Sequence, residues 1–197
     1  MKKKNIALLL SAVLVLAGVV GVTIAWLTDN TDTVTNTFTV GDINIDLYET
    51  DSEEDADENA LTNSYKMIPG NTIAKDPTVK VDAKSEACWL FVKVDESATL
   101  HTYIEYGMAD GWFALDGQQG VYYRKVAATG ESHETFAVLA GNNGGQVTVK
   151  ADVTKAQMNA LQEEGAVQPT LSFKAYAVQQ ANVTTVADAW AKRPVDF

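Results

Sequence analysis

The chain has 197 residues, 46% of them hydrophobic and 21% charged, with a formal net charge of −11. That length supports one domain with extensions, and four Pro and 13 Gly exclude a collagen-like or Pro-rich linker protein. The acidity argues against nucleic acid as a partner, because phosphates are held by Lys and Arg, while one Cys excludes an intrachain disulfide framework and a Cys-rich zinc site and two His exclude most histidine-based metal sites.

Lys2, Lys3 and Lys4 form a basic start, and residues 6–25 are apolar with many small side chains. Thr23 and Ala25 place small residues at the third and first positions before Trp26, where polarity switches abruptly. Residues 1–25 therefore read as a secretory signal peptide cleaved before Trp26. An uncleaved anchor is the alternative, since a run of about 20 residues just spans a bilayer. Either way residues 26–197 lie outside the membrane. Cleavage takes the formal charge from −11 to about −14, because residues 1–25 hold three Lys and no acid.

Residues 26–40 read as an extended arm or first strand, with Val34, Phe38 and Val40 on one face. A turn at Gly41-Asp42 leads into Ile43, Ile45 and Leu47 alternating with polar residues, the pattern of a half-buried strand. Residues 49–58 carry seven acids and no apolar face, which predicts a solvated loop. Val79 and Val81 mark a short strand. Residues 88–94 are apolar on both faces, with Cys88, Leu90, Val92 and Val94 on one and Trp89 and Phe91 on the other, so a central, covered strand is expected.

Residues 98–107 fit a helical period loosely. Strands follow at 112–115 and 120–126, joined by Asp116-Gly117, and at 134–139 and 146–153, separated by a glycine-rich loop. Thr154 caps an expected helix running to about Glu164 and ending at Gly165. Leu171, Phe173, Ala175 and Ala177 mark the last long strand. Thr184 or Thr185 caps a short helix through Trp190. About eight strands with intervening turns and one or two short helices indicate an all-β antiparallel sandwich over residues 41–197. A jelly roll is the first expectation and an immunoglobulin-like sandwich the second.

The run from Trp26-Leu27-Thr28-Asp29 into Asn36-Thr37-Phe38-Thr39-Val40-Gly41, followed by alternating Ile43, Ile45 and Leu47, resembles the TasA/camelysin family of Gram-positive bacteria. Lys75-Asp76-Pro77-Thr78-Val79, Trp89 to Val94, Lys174 to Gln179 and Ala187-Asp188-Ala189-Trp190 are similar to later stretches of that family. Residues 97–168 match only in strand pattern. The resemblance implies a jelly-roll domain, a dedicated SipW-type signal peptidase, and secretion to the cell surface or biofilm matrix. It also implies homopolymers or mixed matrix fibres, in which the arm freed by cleavage completes a neighbour's sheet. The simpler alternative is that the arm, with Val34, Phe38 and Val40, docks on its own domain or stays disordered.

Catalysis finds little support in the residues. Camelysin-like members have been classed as metallopeptidases, yet there is no His-Glu-x-x-His. His101, Glu105 and His133 are conceivable as a zinc set, but acids beside histidines are expected by chance in so acidic a chain. Cys88 has apolar neighbours and no basic partner, the setting of an inert thiol. There is no nucleophile elbow, and residues 141–145 lack the Lys-Ser/Thr of a phosphate loop. The acidic run has Ala56 where a calcium loop needs glycine. The expectation is a non-enzymatic protein without cofactor or metal, a structural component first, a non-polymerising surface binding module second and a secreted metallopeptidase of camelysin type last.

Overall fold

The structure, a computed structural model, describes residues 41–49, 63–195 and 197. The signal peptide, the cleavage residues Thr23, Ala25 and Trp26, the arm with Val34, Phe38 and Val40, and most of the acidic run lie outside the described residues.

The described chain is an all-β antiparallel sandwich. Its strands are β1 (Ile45–Tyr48), β2 (Thr72–Ala74), β3 (Thr78–Val81), β4 (Cys88–Glu96), β5 (Ile104–Glu105), β6 (Phe113–Ala114), β7 (Val121–Val126), β8 (Glu134–Ala137), β9 (Gln146–Val149) and β10 (Leu171–Gln179). One layer is the four-stranded sheet β10-β4-β7-β6. The other combines β1-β3-β8 with β2-β9-β5. These two run into each other, because the β2–β3 stretch stays bonded to the β8–β9 stretch across the intervening residues. The Val138 N–H donates to Pro77 O at 2.8 Å, and the Lys75 N–H donates to Gly145 O at 3.2 Å. The chain passes between layers at β3–β4, β4–β5, β5–β6, β7–β8 and β9–β10.

Strand alternation builds the core. Val79 and Val81 of β3 meet Cys88, Leu90, Val92 and Val94 of β4, with Val126 and Val138 beside them, all buried. Phe173, Ala175 and Ala177 of β10 and Ile45 and Leu47 of β1 close the same core and are only half-buried, since both strands are edges. A second cluster of Leu100, Tyr103, Ile104, Leu139, Val147, Val149 and Val153 fills the lower end.

The other face of β4 is covered as well. Register aligns Tyr176, Phe91, Tyr123 and Phe113 in one row across β10, β4, β7 and β6. Helix α3 (Val186–Ala191) lies on this row, with the Trp190 ring 5.4 Å from Phe91. The Trp89 indole donates to Val183 O at 2.9 Å and pins the segment leading into α3. Thr185 is its N-cap, accepting from the Asp188 N–H at 3.1 Å.

Several expected boundaries move. The four-residue strand β9 ends at Val149 rather than 153, because the chain turns after Lys150, where the Val153 N–H donates to Lys150 O. The helix after Thr154, α2 (Lys155–Ala160), has the capping box but only a narrow apolar stripe, and it stops short of Glu164. Residues 98–107 split into a single helical turn, α1 (Leu100–Tyr103), and the two-residue β5. The described residues thus carry three short helices where one or two were expected, and β2 and β5 escape a pattern search because they are three and two residues long.

Candidate functional site: the open edge of the sandwich

Both layers end on one side in an edge strand, β1 in one and β10 in the other, and these two face each other across the layers. Among the described residues no strand pairs with the outer edge of either. Main-chain phase can be read from the inner side of β10. The Gln180 N–H donates to Ala87 O, the Ser97 N–H donates to Thr170 O, and the register pairs Tyr176 with Phe91. Even-numbered residues of β10 therefore bond β4, and the N–H and C=O groups of Leu171, Phe173, Ala175, Ala177 and Gln179 point away from it. Nine residues is long for an edge with no partner strand among the described residues.

Between these edges lies a cavity of about 560 Å³. Its apolar wall includes Leu47, Met67, Ile73, Leu100, Leu171 and Phe173. Its polar wall is built by alternation. Ile73, Lys75, Pro77, Val79 and Val81 all take the inward phase of the β2–β3 ribbon, so Lys75 is carried inside and is only 9% exposed. Ile45, Leu47 and Glu49 take the inward phase of β1. The register pairs Leu47 with Val79, and one further inward step sets Glu49 opposite Pro77, beside Lys75.

The Lys75 ammonium lies 2.7 Å from Glu49 Oε1. Asn63 Nδ2 and the Tyr65 hydroxyl donate to Glu49 Oε2 at 2.9 and 3.3 Å. The ammonium also sits 5.3 Å from the Tyr65 ring centroid and 5.4 Å from that of Phe173. Burial and the Glu49 charge push the Tyr65 hydroxyl up to about 12. Glu49 therefore corrects the expectation for the acidic run: its first member is a mostly buried ion-pair partner, because it ends an alternating strand rather than beginning a solvated loop.

The histidines are apart in role. His101 Nε2 lies 3.0 Å from Glu96 Oε2, and its ring stacks on Tyr106, whose hydroxyl donates to the same carboxylate. Glu105 is exposed on β5, and His133 is exposed just before β8. Among the described residues no group of three or more His, Cys, Asp or Glu side chains is gathered for a metal ion, so His101, Glu105 and His133 are not brought together. Cys88 is fully buried in the core, and burial pushes its thiol up to about 11. No described helix is long and apolar enough to cross a membrane.

The sequence reading missed Lys75, Asn63 and Tyr65. The signal for Lys75 is present: a lysine sits in phase with Ile73, Pro77, Val79 and Val81. Nothing local marks Asn63 or Tyr65, which follow the acidic run and are recruited by Glu49. No protein-family profile, curated protein or solved structure matches the chain.

Proposed function

We propose that this chain is a secreted, non-catalytic structural protein of a Gram-positive cell surface or biofilm matrix. Its subunits join when the arm at residues 26–40 of one copy, freed by signal cleavage, adds as a strand to the sheet edge of the next. The resemblance at residues 26–47 motivates secretion and fibre formation. The observation that carries the mode of assembly is the outward main chain of β10, five residues of unpaired donors and acceptors among the described residues. Alternate apolar side chains of the arm, Val34 and Phe38, would enter between the layers while the backbone extends the ladder.

An edge proline tests the reading. Ala175→Pro removes an N–H that points away from β4, so it should leave the fold intact and abolish fibres in electron micrographs of the exported protein. Tyr176→Pro removes a ladder bond to β4 and should destabilise the domain itself. Fibres of unchanged width from a folded Ala175→Pro protein would reject strand addition at this edge.

A second reading, a surface binding module that does not polymerise, is favoured by the cavity and its Lys75–Glu49 pair.

A further inference from the structure

The cavity between β1 and β10 has a chemistry that strand addition does not require. Three donors converge on one carboxylate: Lys75 Nζ on Oε1, and Asn63 Nδ2 and the Tyr65 hydroxyl on Oε2 of Glu49. The rest of the wall is mostly aliphatic or aromatic, with Ser64, Gln168, Thr170 and Ser172 as its uncharged polar members, and the volume of about 560 Å³ is that of small-molecule sites. Glu49 lies one residue beyond β1, in its inward phase, so its side chain can be exchanged without breaking a β1–β3 pair, the last of which is Tyr48 with Thr78.

We propose that this cavity binds a free linear alkyl monocarboxylate, and that the Glu49 carboxylate marks the position of the ligand's headgroup. The ligand carboxylate replaces that of Glu49 on Lys75, Asn63 and Tyr65. The exchange keeps one negative charge beside the buried ammonium, which a neutral or cationic headgroup would not do. The Glu49 side chain turns to solvent. The alkyl chain lies along Leu47, Met67, Ile73, Leu100, Leu171 and Phe173.

Octanoate is the probe, with octanol and acetate as controls, each below the concentration at which it self-associates. Calorimetry on the protein purified from its expression host should show saturable one-to-one binding of octanoate. Octanol should bind at least about tenfold more weakly, since it leaves the ammonium without a counter-charge. Hexanoate should bind about tenfold more weakly than octanoate, the loss of two buried methylenes. Glu49→Gln removes the competing charge and should tighten octanoate about tenfold. Lys75→Met should erase the preference for octanoate over octanol. Should that variant fail to fold, Asn63→Leu removes one donor and should weaken octanoate several-fold while leaving octanol unchanged. Backbone amide shifts should move at β1, β2 and the start of β10.

The proposal is overturned if octanoate does not bind, or if octanol binds as tightly. It is also overturned if Glu49→Gln has no effect or if the shifts map to the Phe113–Tyr123 face. Binding of octanoate does not depend on assembly: Ala175→Pro should retain it even where fibres are lost.

Discussion

Lys75 and Glu49 meet at 2.7 Å although they lie on different strands, and both arrive there by the same rule of alternation. Each continues the inward phase of an apolar strand by one step, and each is the charge the other needs in a place with little water. A buried ion pair adds little net stability over an apolar pair, but half of one is costly. Glu49→Ala should therefore cost about 3 kcal/mol in chemical denaturation. The double variant Glu49→Leu with Lys75→Met should recover most of that loss. An unchanged midpoint in Glu49→Ala would show that water reaches the ammonium freely.

Alkaline pH should destabilise the domain. The Tyr65 hydroxyl is pushed up to about 12, first by burial and then by Glu49, and the Cys88 thiol up to about 11 by burial. Tyr106 is raised too, by burial and then by its hydrogen bond to Glu96. In each case the unfolded state gives up its proton first, so above the unfolded value the folded state holds more protons and stability falls with rising pH. Full stability is expected below about pH 8.5, near the ordinary thiol value, with a decline through pH 10 to 12. Melting temperature against pH checks this, and Tyr65→Phe should flatten the upper part of the decline. A melting temperature that holds steady from pH 8 to 11 would contradict the burial of these groups.

Leu90 is fully buried at the centre of β4, between β10 and β7. Leu90→Ala should cost roughly 2–5 kcal/mol. Cys88, two residues away on the same face, supplies the readout. Its thiol should react with a maleimide only when the domain opens, and Leu90→Ala should speed that labelling, the logarithm of the rate rising in proportion to the lost stability. Rapid labelling of the native protein would place Cys88 at the surface.

Processing is the step on which the proposed assembly depends. Ala25→Phe puts a bulky ring where a signal peptidase accepts a small side chain, and it should retain residues 1–25. Mass analysis of the exported protein should give Trp26 as the first residue of the wild type. A retained amino terminus in the wild type would contradict the arm as a free strand.

The fold was legible where alternation runs long. Residues 88–94 and 171–178 declare themselves as strands, observed as Cys88–Glu96 and Leu171–Gln179, and the double-sided apolar pattern of the first correctly indicates cover on both faces. What covers the second face was not legible, since Trp190 and Ala189 are brought onto Phe91 by a tertiary contact and a single cap at Thr185. β2 and β5 are too short to carry a period and exist through their partner β9. The candidate site was half legible. Its edges, unpaired among the described residues, follow from strand order, which no single strand encodes. Lys75 breaks an apolar phase visibly, whereas Glu49 was hidden among the acids that follow it.

Electron microscopy of the exported protein with and without residues 26–33 tests strand addition most directly. The full mature chain should form fibres, more readily at mildly acid pH, where protonating carboxylates lowers the repulsion between strongly negative subunits. The shortened chain should remain a folded monomer with an unchanged melting temperature. A peptide of residues 26–40 should bind it, and Ala175→Pro should abolish that binding. Fibres of the same width from the shortened chain, or a mature chain that stays monomeric at high concentration across the pH range, would contradict the account.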